Sequence, residues 1–130
     1  MRQRPLSPHM TIYRMTRYSL LSSILNRATG IGLSLGLIAL VYWLTSLARG
    51  AHAYVQAQAV LASLPLKVFY ALLLAAFSYH LVAGIRHLVW DTGHGMERAQ
   101  SQKSAWLVIV VALLLAAALI ACAFRAREGV

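Results

Sequence analysis

The run LKVFYALLLAAFSYHLVAGIRHLVW, Leu66 to Trp90, decides the fold. A helix crosses the hydrocarbon of a bilayer with about 20 apolar residues, and this run is long enough to do so. Its last part, YHLVAGIRHLVWD from Tyr79 to Asp91, carries two histidines, an arginine and an aspartate into or just beside that hydrocarbon. Ionisable residues at membrane depth are costly, and they mark functional sites. A helix turns by about 100° per residue, which puts Gly84, His87 and Asp91 within about 40° of the direction of His80, in one stripe, and turns Arg86 about 120° away. A glycine one turn from a histidine lets a flat, bulky ligand approach the backbone.

The flanking sequence has the same character. AWLVIVVALLLAAALIACAF, from about Ala105 to Phe124, has no charge inside it. Upstream, helix is expected from Leu20, with Ser19, Ser22 or Ser23 available as N-caps. The apolar run proper is Ile31 to Ala48, in which Gly32 and Gly36 form a GxxxG pair that Gly30 and Ser34 extend into a small-residue face for helix packing. The connection from Arg49 to about Pro65, containing His52, Gln56 and Gln58, has the composition of a short interfacial helix. A short basic loop is expected over residues 91–104. Residues 1 to about 20 read as an extended basic arm, because Pro5 and Pro8 disfavour helix and Arg2, Arg4, Arg14 and Arg17 charge it. Such an arm either lies on anionic lipid head groups or docks on a partner protein.

The expected fold is all-α: one membrane domain over residues 1–130, a three-helix transmembrane bundle with spans at about 22–48, 66–90 and 105–124. Basic residues near the span ends set orientation. The side of the N-terminus collects Arg2, Arg4, Arg14, Arg17, Arg27, Arg86, Arg98 and Lys103, against Arg49, Lys67, Arg125 and Arg127 opposite. The N-terminus is therefore expected in the cytoplasm and the C-terminus outside. No cleavable signal peptide is visible in the basic, proline-bearing start, so the first span must direct insertion.

The chain has 130 residues, 60% of them hydrophobic, and a formal net charge of +9. Such a charge could indicate nucleic acid. Here, however, the cations sit between long apolar runs, the pattern of charged membrane-protein loops, and nucleic acid is set aside. The single cysteine, Cys122, forms no internal disulfide, and no CxxCH motif for covalent haem attachment is present. It reads as a small apolar residue in the third span.

Of five histidines only His80 and His87 fall within a span. His80 lies roughly 16 Å deeper than Asp91 along the helix axis. One reading is a neutral histidine bonded to a neighbouring helix; the other is an axial ligand to haem iron. A low-spin b-type haem takes two axial ligands, His or Met, and the other two spans contain neither. His87 shares the face of His80, about 10.5 Å along the same axis, too close for two stacked haems. A bis-liganded haem would therefore be single and shared with another chain. Its propionates need cations, and Arg27, Arg86 and His87 are at about the right depth. Ser23 and Arg27, four apart on one helix face, offer a hydroxyl and a cation to a polar head group such as a quinone carbonyl. Alternatively Arg27 snorkels to lipid phosphate.

RPLSPH at Arg4–His9, SILNRATG at Ser23–Gly30 and YHLVAGIRHLVWD at Tyr79–Asp91 together resemble the large membrane-anchor, cytochrome b subunit of succinate dehydrogenase, respiratory complex II. The motifs stand in the family's order and spacing, and the resemblance covers essentially the whole chain. It implies that His80 is the axial haem b ligand, with the second histidine on the small anchor subunit. It also implies that Ser23 and Arg27 line a ubiquinone site completed by the iron–sulfur subunit and the small anchor. Arg27 and His87 would lie near the haem propionates, and Asp91 would be an acidic residue at the cytoplasmic end of the second span, on a possible polar or proton path. Succinate oxidation would belong to the flavoprotein subunit, so this chain would be a non-catalytic subunit contributing to quinone reduction. A bacterial inner membrane is favoured over a mitochondrial one, as no transit peptide is seen. The family pattern S-x-x-H-R-x-T-G has Asn26 here in place of its histidine, and asparagine does not titrate near neutral pH.

Two other classes compete with this reading. One is a haem-free structural anchor. The other, weaker, is a small transporter with His80 and His87 in a proton path, for which no other span supplies an acidic partner.

Overall fold

The computed structural model describes residues 17–128, and the side chains of residues 20–125. Four helices follow one another: α1 (Arg17–Ala48), α2 (Ala51–Leu61), α3 (Leu64–Asp91) and α4 (Arg98–Glu128). No strand occurs among the described residues. Three helices are long and apolar enough to cross a membrane, over Leu20–Ala48, Leu64–Asp91 and Arg98–Arg125. The all-α bundle with three spans is as expected, and the connection forms the expected short helix, α2. The basic arm lies outside the described residues, apart from its last few positions.

Those last positions are a correction. Residue 17 is already helical, so Ser19, Ser22 and Ser23 lie inside α1 and do not cap it. A second correction concerns the loop expected over residues 91–104. Helix resumes at Arg98, leaving only residues 92–97 as the connection, and Arg98 and Lys103 belong to the first turns of α4. Hydropathy marks the edge of hydrocarbon, whereas Ala, Gln, Lys and Arg are good helix formers on either side of that edge.

Local signals explain the breaks. Gly50 precedes α2 at φ 98°, a backbone region that glycine occupies freely. Ser63, in extended conformation, starts α3, and a proline follows within the first two helical positions, where its missing N–H has no intrahelical partner to lose.

The core is made of small side chains. Ala105, Val108, Ala112 and Ala116 are buried along one face of α4, and Ala83 and Ser78 are buried on α3. Small residues let helix backbones approach closely where no water drives association, and α3 and α4 share the most extensive interface. Many large apolar side chains face outward, Leu35, Ile38, Leu72, Ile85, Leu113 and Leu114 among them. That pattern suits lipid or a neighbouring chain as solvent.

The GxxxG reading needs revision. A Cβ added at Gly36 would come within 2.9 Å of Leu73 on α3, while one at Gly32 would meet nothing within 4 Å. Ser34 is exposed, bonded to its own helix at the Gly30 carbonyl. The face of α1 against α3 therefore runs through Thr29, Gly30 and Gly36, one heptad apart at its ends. Pairs four apart do not by themselves show which of two small faces is the buried one.

Gly36 supplies a test. An alanine there gains helix propensity, worth up to about 1 kcal/mol, and the mobile end of Leu73 can turn aside. A leucine must push α1 from α3, at about 1–3 kcal/mol for overpacking. Thermal melting of the purified complex should leave Gly36→Ala near wild type and Gly36→Leu clearly lower. Equal midpoints for the two would contradict this packing.

Candidate functional site

At the end of the bundle where α1 begins, α3 ends and α4 begins, polar side chains of α3 reach both neighbouring helices. The Tyr79 hydroxyl donates to the main-chain oxygen of Ser22 on α1, 3.3 Å away. His80 points at the next turn of α1. Its Nδ1 is 3.2 Å from the main-chain oxygen of Asn26 and 3.3 Å from Thr29 Oγ1.

These contacts are satisfied with the proton on Nδ1. A carbonyl oxygen only accepts, so Nδ1 carries the proton. The Thr29 hydroxyl spends its own proton on the main-chain oxygens of Leu25, at 2.7 Å, and Asn26, at 3.0 Å, so it too accepts from Nδ1. Nε2 is left with its lone pair free, the arrangement in which a second contact orients a metal-ligating histidine. Hydrogen bonding to a neighbouring helix, set out above as the alternative to ligation, is in fact its complement. The ring is also held from one side: a Cβ at Gly30 would lie 3.2 Å from its Cε1.

Beside it on α3, Gly84 borders open space, for an added Cβ would meet nothing within 4 Å. His80, Gly84 and His87 occupy one stripe of the helix. A free imidazole nitrogen, its ring locked by the opposite nitrogen, next to a bare stretch of backbone, is what a haem needs from one side of its pocket. The residues fit. Among the described residues no group of three or more His, Cys, Asp or Glu is clustered for a metal ion.

His87 is exposed, with Nδ1 2.7 Å from the Ala83 main-chain oxygen. With Nδ1–H spent on that carbonyl, the Nε2 edge can donate to an anion only when both ring nitrogens carry protons. Arg86 departs from expectation. It is not free for a propionate but only 8% exposed, with Nε 2.9 Å from Ser104 Oγ and one terminal nitrogen 2.9 Å from the Ser101 main-chain oxygen. The helical turn that sets Arg86 away from His80 aims it at α4, whose polar first turns supply acceptors.

Ser23 and Arg27 lie on the first turns of α1, Ser23 half-buried and Arg27 exposed. Asp91 is the last residue of α3 and exposed. The Asn26 side-chain oxygen is buried and finds no hydrogen-bond partner. Sequence reasoning missed the supporting roles of Thr29, Gly30 and the Asn26 main chain. Thr29 stands three residues after Asn26 and Gly30 four, and that spacing on one face was the available signal. A cavity of ≈ 540 Å³ at the opposite end of the bundle, bordered by Gly36, Trp43, Lys67, Tyr70 and Phe124, contains none of these site residues.

The family described as succinate dehydrogenase/fumarate reductase transmembrane subunit matches residues 1–119. The chain belongs to that family. It is 35% identical over 113 residues to the succinate dehydrogenase cytochrome b556 subunit of Paracoccus denitrificans, covering 87% of this chain and 86% of that one. It is 40% identical over 114 residues to the subunit of the same name in Rickettsia typhi, covering 87% of each. The mitochondrial cytochrome b560 subunit of Sus scrofa is 34% identical over 85% of this chain and 66% of its own length. The resemblance read from three short motifs is thus borne out over most of the chain.

The open flank at Gly84 can be probed directly. Gly84→Ala should leave the helical content of the chain unchanged or slightly higher, since alanine favours helix by about 1 kcal/mol and meets no neighbour. Yet it should lower haem occupancy in the purified complex, because the added methyl fills the approach. Full occupancy in that variant would place the haem elsewhere.

Proposed function

We propose that this membrane-anchor subunit holds one haem b jointly with a second anchor chain and supplies part of a ubiquinone-reduction site in a succinate:quinone oxidoreductase. The observation that carries the reading is the committed Nδ1 and free Nε2 of His80, in a span whose companions offer no second His or Met ligand. The cytochrome b names of the relatives support a haem, and the lack of an opposite ligand supports a partner chain as its source. When bound, the haem supplies a one-electron redox centre inside the membrane. His80 ligates it, Thr29 and Asn26 hold the imidazole in place, and Arg27 and His87 serve its propionates.

Ser23 and Arg27 act on the substrate. A hydroxyl and a guanidinium on one face at the start of α1 can hydrogen-bond a quinone carbonyl and stabilise the negative charge that develops on its oxygen as electrons arrive. Asp91 passes protons at the membrane surface, a role supported by its exposure at the end of α3. On this reading the iron–sulfur subunit and the small anchor complete the quinone site, and the flavoprotein subunit oxidises succinate. The subunit itself carries no complete active site. The bias of basic residues supports an N-in, C-out topology in a bacterial inner membrane.

Two substitutions separate the two roles. His80→Ala should abolish retention of haem b in the purified complex. Arg27→Ala should cut quinone reduction roughly 10–100-fold, the equivalent of one charged hydrogen bond, with haem content largely kept. An unchanged reduced b-type spectrum in the His80 variant would refute the ligand assignment, and a complex without stoichiometric haem b in the wild type would favour a haem-free structural anchor.

A further inference from the structure

Arg86 is the one buried cation among the described side chains, and its contacts form a connected set. Its Nε donates to Ser104 Oγ at 2.9 Å, and a terminal nitrogen donates to the Ser101 main-chain oxygen at 2.9 Å and to Ser101 Oγ at 3.2 Å. Ser104 Oγ gives its own proton to the Ser101 main-chain oxygen, 3.1 Å away, and so presents only lone pairs to the guanidinium. All these acceptors are neutral. The guanidinium carbon lies 4.0 Å from the centre of the Trp90 ring, a cation–π contact strengthened by exclusion of water.

Trp90 is held on two further sides. Its Nε1–H donates to the Gly95 main-chain oxygen at 3.1 Å, and its ring meets that of His87 at 5.3 Å and 69°. His87 is tied in turn through Nδ1 to the Ala83 main-chain oxygen at 2.7 Å. The imidazole of an otherwise exposed histidine is thus braced by an indole that a buried arginine, anchored in the neighbouring helix, keeps from moving. Gly95 contributes through its backbone at φ 78°, which an L side chain rarely adopts.

We propose that Arg86 is a positioning residue: anchored to Ser101 and Ser104 of α4, it holds Trp90 against His87 and fixes where the imidazolium of His87, its Nδ1–H given to Ala83, donates from Nε2 to a haem propionate. The inference rests on the function proposed above. It requires arginine, because a planar fork that bonds two serines along its edge while its face lies on an indole has no equivalent in a point-charge lysine. A propionate left without its contact is a bare anion beside the haem. Such an anion favours the ferric state, so loosening His87 lowers the midpoint potential.

The test uses the purified complex carrying Arg86→Lys, His87→Leu or both, with haem midpoint potential and the electron paramagnetic resonance of the ferric haem as readouts. Arg86→Lys keeps the charge, so a purely Coulombic role leaves the potential at the wild-type value. Positioning predicts a shift downward, in the direction of His87→Leu, with the double variant no lower than His87→Leu alone, as expected of residues acting through one contact. Should Arg86→Lys fail to assemble, Ser101→Ala with Ser104→Ala removes both hydroxyl acceptors, leaving only the Ser101 main-chain oxygen, and should shift the potential the same way by a smaller amount. A complex that melts earlier with potential and spectrum unmoved would overturn the inference, leaving Arg86 as a tie between helices. Shifts that add in the double variant would overturn it also. Absence of haem from the wild-type complex would overturn the proposed function together with it, and is told apart at once by the missing spectrum.

Discussion

The site depends on one hydrogen bond, from His80 Nδ1 to the main-chain oxygen of Asn26. It fixes the imidazole tautomer, joins α3 to α1, and leaves Nε2 as the only nitrogen able to bind a metal. Because the acceptor is the backbone, the bond does not depend on the side chain at position 26. Any residue other than proline at position 26 offers the same main-chain oxygen to His80. What Asn26 changes, against the family histidine, is the side chain itself, whose buried oxygen has no partner in this chain. A buried acceptor left unsatisfied costs about 1–3 kcal/mol, so a donor from a bound group or adjoining subunit is the natural complement.

From that bond outward, α3 acts as the central helix of the bundle. Tyr79 and His80 tie it to α1, while Arg86, on another face, ties it to α4. Polar contacts at one end and small-residue packing along the rest complement each other, since lipid supplies no hydrophobic force to bring apolar helices together. The large outward-facing leucines and isoleucines then remain for lipid and for partner chains. On the function proposed above, His80, half-buried at the α1 contact, is where a partner's ligand would approach.

Much of this was legible in the sequence because the membrane simplifies it. Apolar runs of spanning length cannot be strands of a water-soluble sheet, and histidines in such a run stand out against their surroundings. The stripe of His80, Gly84 and His87 followed from helix geometry alone. What could not be read was where each helix meets another. Gly32 and Gly36 look equivalent in the sequence, yet only Gly36 packs on α3. Arg86 looked like a free cation at the right depth, and only the placement of Ser101 and Ser104 on an α4 that starts earlier than hydropathy indicates shows it to be occupied. Thr29 carried no signal beyond its place on the face of Asn26 and Gly30, because a hydroxyl in a helix ordinarily bonds its own backbone. Its second contact, with His80, exists only once two helices are packed.

The central claim is that one chain contributes half of the ligation of a single haem. The most direct measurement is haem stoichiometry in the purified complex, together with electron paramagnetic resonance of the oxidised form. The account predicts one haem b per copy of this chain, low-spin, with two histidine ligands of which His80 is one. Absence of stoichiometric haem, two haems per copy, or a low-spin signal that survives loss of His80 would contradict it.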